Sequence, residues 1–296
     1  MKKVFILSGP YQHGHRPKYS KVFSRAIPAY EFIDVELDNL IVEISPDKFL
    51  IKDSASGLDI KDADLVMLRE YTGNFLDLAF VVSKYLEHNR VEYFNKDYMN
   101  YRPVSKLAQA AIFYELGLPF PDLVFSVKPD LLASLAVALG FPLILKEAQA
   151  SHGDNNFLVK SPDELERLLS DRQELKFIAQ KYVPNDGDYR LLLMGGRTVL
   201  QIYRQGQGGT HLNNTSKGAA AQLSDDLPQE VLRHAKELVR HMDLELAGVD
   251  ILLDGAKKPY FLEINYQPQI ISGALVDEKL ASIKDLIEHQ LGRSGS

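Results

Sequence analysis

Three oxygen-bearing side chains stand close together near the end of the chain: Asp250, Glu263 and Asn265 in GVDILLDGAKKPYFLEIN, residues 248–265. An Asp, a Glu and an Asn offer only hard oxygen ligands, which suits magnesium shared with substrate phosphates better than zinc. In a strand over Tyr260–Asn265 the side chains alternate, which puts Phe261, Glu263 and Asn265 on one face. Asp254–Pro259 reads as a turn, and continuing the antiparallel ladder from its ends sets Asp250 opposite Glu263. A bulge in either strand would send Asp250 to the other face.

Cations come next. Lys146 ends an apolar run, Phe141–Lys146, suited to a buried strand, and Lys106 opens an amphipathic helix. A half-buried lysine needs an anionic partner, although an isolated one more often snorkels to solvent. QASHGDNN, residues 149–156, follows Lys146 and can present backbone N–H groups to phosphate. Arg190 and Arg204 lie on neighbouring strands, and Arg204 opens the polar stretch RQGQGGTHLNNTSKGA, which contains Asn214 and Lys217. A guanidinium can hold phosphate or carboxylate in a bidentate fork.

Composition narrows the classes further. The 296 residues are 45% apolar and 25% charged with a net charge of −6, so neither a disordered chain nor a basic nucleic-acid or membrane coat fits. Cysteine is absent, which excludes disulfides, thiolate metal sites and cysteine nucleophiles. GxSxG, Walker A and GxGxxG are missing as well. Val4–Leu7 is too short for a signal-peptide core and reads as a first buried strand, so the expected location is the cytoplasm.

The elements that must position these residues follow from periodicity. Strands are expected at Val4–Leu7, Ile41–Ile44, Phe49–Ile51, Asp64–Leu68 and Val91–Phe94, with a helix over Leu76–Leu86. Val104, Leu107, Ala108, Ala111 and Ile112 predict the inner face of a second helix. Lys128-Pro129 opens a third, and Ser161-Pro162-Asp163-Glu164 is a capping box for a fourth. The last third alternates strands at Tyr189–Met194, Thr198–Arg204, Leu246–Leu253 and Pro259–Ile264 with two helices, and Gly195-Gly196 signals a hairpin. The fold class is α/β and α+β, with a front unit over 1–99, lobes over 100–183 and 184–291, and a tail over 292–296.

The order SKLAQ…LGLPFP, FPLILKEAQASHGDNN, IAQKYVPNDGDYRLLLMGGR, NNTSKGA and AGVDIL…FLEINYQP resembles the ATP-grasp superfamily. Its RimK-type and glutathione-synthetase-like carboxylate–amine ligases are the most similar, over about residues 65–291. The resemblance implies an N-terminal open α/β domain before a two-lobed ATP-grasp fold, and amide or peptide bond formation through an acyl phosphate with release of ADP and phosphate. Lys106 and Lys146 would then bind nucleotide phosphates. Gln180, Lys181 and Val183 would meet adenine, and Asp188 the ribose. Arg190, Arg204, Asn214 and Lys217 would surround the transferred phosphate. Asp250, Glu263 and Asn265 would hold magnesium, or manganese in its place. Its partners would be a small-molecule or peptide carboxylate and an amine or amino acid, with no nucleic acid or membrane; a homo-oligomer is left open. A kinase on the same fold and a non-catalytic nucleotide-binding scaffold are the alternatives. The sequence departs from the family in having a single glycine, Gly153, in the loop after Lys146. It departs again in Tyr266-Gln267-Pro268 after Asn265, which bears on substrate.

Overall fold

The computed structural model describes residues 1–9, 18–45, 48–69, 76–94, 96, 105–148, 155–196, 198–206 and 220–293. The N-terminal part comprises β1 (Lys3–Ser8), α1 (Tyr19–Ala26), β2 (Glu31–Glu36), β3 (Leu40–Ser45), β4 (Lys48–Asp53), β5 (Leu65–Arg69), α2 (Leu76–Asn89) and β6 (Glu92–Phe94). Four of these strands form a parallel sheet in the order β2-β1-β5-β6, while β3 and β4 pair as a separate antiparallel ribbon. The apolar runs in β1 and β5 are buried throughout, as a sheet covered on both faces requires. Periodicity missed α1 and β2. The first has only Tyr19 and Phe23 as buried anchors, and the second only Phe32 and Val35.

The central part runs α3 (Lys106–Glu115), β7 (Leu123–Phe125), α4 (Pro129–Val137), β8 (Leu143–Glu147), β9 (Asn156–Val159), α5 (Pro162–Ser170) and β10 (Phe177–Lys181). Its antiparallel sheet has the order β7-β10-β8-β9. Ser161 caps α5 through the Glu164 N–H, and the Glu164 carboxylate reaches back to the Lys160 N–H at 2.8 Å, one residue earlier than the usual reciprocal bond. Leu132, Leu145, Leu165, Leu169 and Phe177 build a core confined to this part.

The last part contains β11 (Asp188–Met194), β12 (Thr198–Gln205), β13 (Ala220–Leu223), α6 (Gln229–His241), β14 (Leu246–Leu253), β15 (Pro259–Asn265) and α7 (Val276–Arg293). The sheet is antiparallel throughout, in the order β13-β12-β11-β14-β15. Gly195 and Gly196 turn the β11–β12 hairpin with φ of +58° and +65°. One face of the sheet packs on α6 and on Phe113 of α3. The other joins α7 to β1, α1 and β5, so Val4, Phe23 and Met67 share a core with Leu192, Ile283 and Ile287. Among the described residues, no helix is long and apolar enough to cross a membrane.

The inner face of α3 is not the one the spacing predicts. Gln109, Ala110 and Phe113 are buried and Ala111 is exposed, while Val104 lies outside the described residues. A polar residue in the buried stripe hides the true periodicity, and Gln109 is that residue.

Candidate active site

Six of the expected residues sit on adjacent strands. Arg190 and Asp188 lie on β11, Arg204 on β12, Asp250 on β14, and Glu263 and Asn265 on β15. Arg190 stands opposite Asp250 in the ladder, and Asp188 opposite Arg204. Each pair is bidentate. Arg190 Nε and Nη2 donate to Asp250 Oδ1 and Oδ2 at 2.7 and 2.6 Å, and Arg204 Nε and Nη2 donate to Asp188 at 2.7 and 2.8 Å. Arg204 Nη2 also lies 3.2 Å from Asp250 Oδ2, which joins the pairs into a four-residue network. Gly187, just before Asp188, permits this approach: a Cβ there would lie 2.5 Å from the Arg204 carbonyl oxygen and the Tyr203 hydroxyl.

Asp250 faces Glu263 in the ladder as the sequence predicts, by a different route. The turn sets Leu253 against Pro259, one residue out of step with the pairing assumed from its ends. An irregularity between Asp250 and Ile251 leaves Leu262 without a partner and restores the register at Glu263. This corrects the expected face of Phe261, which joins Ile264 in the core instead of sharing a face with Glu263. Asn265 stays with Glu263. Oriented to satisfy both ends, its amide nitrogen donates to Glu263 Oε1 at 3.2 Å and its oxygen accepts from Arg190 Nη2 at 3.1 Å.

Gln109 fixes this strand. Its amide nitrogen donates to the Ile264 carbonyl at 3.1 Å and its Oε1 accepts from the Ile264 N–H at 3.0 Å, so the side chain acts as one residue of a missing neighbouring strand. Because Ile264 separates Glu263 from Asn265, the contact sets the height of both side chains. The residue appeared in the SKLAQ motif without a role; a glutamine on an otherwise apolar helix face was the available signal.

Across the cleft, Lys146 on β8 donates to Gln180 Oε1 on β10 at 2.7 Å. Lys106, Lys146, Gln180, Phe261 and Leu262 line a cleft between the central sheet and β15. Ser105 caps α3 by accepting from the Ala108 N–H, and the Lys106 N–H donates to the Ala148 carbonyl at 3.1 Å, placing the start of the helix beside the end of β8. Lys181 points outward and pairs loosely with Asp122 at 3.9 Å, while its N–H donates to the Asp122 carbonyl. Val183 is buried and its carbonyl accepts from Asn185 Nδ2. Asn214, Lys217, Gly153 and most of the segment 149–156 lie outside the described residues.

The electrostatics are those of charges taken out of water. Burial draws Lys146 down to about 8, with Glu263 opposing and the Lys106 charge adding to the fall. Burial lifts the Asp188 carboxyl to about 6 against the pull of Arg204. Burial also works against the charge on Asp250, yet Arg190 and Arg204 hold it below the usual carboxylate range. Glu263 is raised by burial, with Lys106 opposing and Asp250 adding to the rise. Burial alone would lower Arg204, but Asp250 and Asp188 outweigh it and keep the guanidinium charged.

This sheet arrangement is that of the ATP-grasp enzymes. The RimK-like ATP-grasp domain model matches residues 105–286, and the chain belongs to that family. A probable alpha-L-glutamate ligase of Marinomonas sp. (strain MWYL1) is 30% identical over 172 residues, 56% of this chain and 56% of that protein. One from Hahella chejuensis is 31% identical over 152 residues, 47% of this chain and 49% of that protein. The chain thus spans about half the length of the curated relatives it matches. The fold extends further. An ATP-grasp ligase of Chryseobacterium gregarium, in complex with ADP and a leader and core peptide, superposes with a TM-score of 0.70 at 17% identity, covering 98% of this chain and 97% of that one. D-alanyl-alanine synthetase A of Vibrio cholerae gives a TM-score of 0.70 at 15% identity, covering 99% and 98%. The α/β front and two-lobed ATP-grasp architecture expected from the sequence are therefore the fold of this chain.

Proposed function

We propose that this protein is an ATP-dependent carboxylate–amine ligase, forming an amide or peptide bond through an acyl phosphate. The observation that carries the reading is the facing arrangement of Arg190, Arg204, Asp250, Glu263 and Asn265 on one sheet, with Lys106 and Lys146 across the cleft. The relatives' name supports an amino acid such as glutamate as one substrate, and the peptide bound by the Chryseobacterium ligase supports a peptide as the other class.

In the first step a substrate carboxylate oxygen attacks the γ-phosphorus of ATP; the bond to the β-phosphate oxygen breaks and ADP leaves. In the second, an amine attacks the acyl carbon, loses a proton, and phosphate departs. Phosphoryl transfer is mainly positioning and charge neutralisation, with little covalent work for the protein. Lys106 and Lys146 neutralise the polyphosphate. Arg190 and Arg204 meet charge on the transferred group, held rigid by Asp250 and Asp188. Gln180, Lys181 and Val183 take the adenine edge, and Asp188 neighbours the ribose. Asn214 and Lys217 complete the surroundings of the phosphoryl group on the strength of the family resemblance.

The residue types fit magnesium, with manganese as a substitute: Asp250 opposes Glu263 and Asn265 lies on the same face, all three carrying hard oxygens, with the Asp250 carboxylate and the Asn265 oxygen accepting from Arg190. Such an ion, held by Asp250, Glu263 and Asn265, would supply positive charge to the phosphate oxygens. The cytoplasm and substrates other than nucleic acid or membrane complete the reading, as does the possibility of a homo-oligomer.

The test is a screen of carboxylate and amine pairs for ADP release, with mass spectrometry of products. ADP, phosphate and an amide are expected. AMP and pyrophosphate would reject the acyl phosphate, and a phosphorylated product without need of an amine would make the enzyme a kinase. ATP binding without turnover on any pair would leave a scaffold.

A further inference from the structure

The N-terminal sheet ends in a buried charge that no carboxylate among the described residues pairs with. Arg69 is the last residue of β5 and only 2% exposed. Its Nη2 donates to the Pro268 carbonyl at 2.7 Å, while Nε and Nη1 have no hydrogen-bond partner. Among the described residues no carboxylate pairs with it; its other neighbour is the Tyr19 ring, 5.9 Å from the guanidinium carbon. Ser8, the last residue of β1, is fully buried, and its hydroxyl also lacks a partner. The two residues stand opposite one another in the parallel ladder. A buried guanidinium with two idle nitrogens beside an idle hydroxyl is costly, and native proteins rarely leave such groups orphaned without a purpose.

Topology says what the purpose is. In the order β2-β1-β5-β6 the chain moves from β1 to β2 on one side and returns to β5 on the other, so strand order reverses between β1 and β5. In open parallel sheets, ligands bind beyond the carboxyl ends of the strands at that reversal. Ser8 and Arg69 are the carboxyl ends of those two strands. The place also adjoins the candidate active site: Pro268, held by Arg69, lines a cavity with Arg190, Arg204 and Lys279. Lys279 is buried too, and its ammonium donates to the Ser272 carbonyl at 3.2 Å. Tyr266-Gln267-Pro268, where the sequence departs from its family, is thus the segment that joins Arg69 to the site.

We propose that Arg69 and Ser8 form a subsite for a substrate carboxylate that does not itself react, the guanidinium donating through Nε and Nη1 and the serine through its hydroxyl. The assignment rests on the ligase reading for the word substrate. The carboxylate belongs either to the acid substrate, as a second acidic group, or to an amino-acid or peptide amine.

The experiment is calorimetric titration of the full chain, with magnesium and a non-hydrolysable ATP analogue present. The probes are L-glutamate against each of its two monoamides, and L-alanyl-L-alanine against its C-terminal amide. At least one acid is expected to bind ten or more times tighter than one of its amides, roughly the loss of a charge-assisted pair. The amide that fails identifies the carboxylate and hence its source. Arg69→Met should abolish the preference and Arg69→Lys restore part of it, with analogue affinity unchanged in both. Ser8→Ala serves if Arg69→Met does not fold: it removes an orphan hydroxyl, so the melting temperature should hold or rise while the preferred acid binds several-fold more weakly. A purely structural role would leave that affinity untouched. Absence of any acid-over-amide preference in the wild type, or its survival in both Ser8→Ala and the folded Arg69 variants, overturns the subsite. Carboxylate binding that depends on Arg69, in a chain that never releases ADP, keeps the subsite and refutes the ligase reading.

Discussion

Asp250 and Glu263 face one another across β14 and β15 because Leu262 drops out of the ladder between them. The irregularity turns Phe261 into the core while keeping both carboxylates on the opposite surface, so one extra residue supplies both packing and a facing carboxylate pair. Two carboxylates so placed repel unless cations intervene; Arg190 and Arg204 hydrogen-bond Asp250, while Lys106, Arg190 and Lys146 reach Glu263 through charge.

Binding of ATP should therefore depend on a divalent ion. Titration of the nucleotide with and without magnesium should show at least a tenfold weakening in chelator, and Glu263→Gln should raise the magnesium concentration needed for half-saturation by a similar factor. Metal-independent affinity in the wild type would remove Asp250, Glu263 and Asn265 from that role.

Arg204→Ala should reduce turnover about 10²–10³-fold with less effect on ATP affinity, because the lost charge matters most as phosphate transfers. It should also destabilise the fold by about 3–5 kcal/mol, since Asp188 and Asp250 lose a buried partner. Adding Asp188→Asn should recover part of that stability without recovering turnover. Denaturant unfolding and steady-state rates read the two effects separately.

Gln109→Leu should cost about 2–4 kcal/mol by stranding both backbone groups of Ile264. Among folded molecules the magnesium requirement should rise, because the strand carrying Glu263 and Asn265 is no longer held. Unchanged melting would mean that another group has taken over the Ile264 backbone.

Glu245 supplies a pH signature away from the site. Burial lifts its carboxyl from 4.5 to about 7, partly offset by its own N–H and that of Lys96, with Asp243 adding to the rise. The native state thus holds this proton over a range where the unfolded chain has released it. This contribution to stability is present at low pH and declines as pH climbs from about 4.5 to about 7. Glu245→Gln, which still accepts from the Lys96 N–H, should raise the melting temperature at pH 8 and have little effect at pH 4.

Much of this was legible in the residues. Lys128-Pro129 opens α4 and Gly195-Gly196 turns the β11–β12 hairpin, as their types indicate. What escaped was set by tertiary partners. Ala220–Leu223 is a strand only because β12 offers it an edge, and its residues are half or fully exposed. The pairing of Arg190 with Asp250 and of Arg204 with Asp188 follows from register across three strands, whereas single-strand patterns show only that charged residues are present. Arg69 ended an apolar run as Lys146 did, yet its neighbour Ser8 lies more than sixty residues earlier in the chain.

The core that binds the N-terminal sheet to β11, β14 and α7 has a mechanical corollary. Leu192 and Ile283 are fused with Val4 and Met67, and Phe113 fastens α3 to the same body, whereas the core of α4, α5, β8 and β10 keeps to itself. Lys106 is therefore mounted on one packed body and Lys146 on the other, the two joined by the bond from the Lys106 N–H to the Ala148 carbonyl. In the proposed ligase the charge that holds the polyphosphate would thus come from both bodies, whereas Arg69 and Ser8 end strands that belong to the body carrying Lys106.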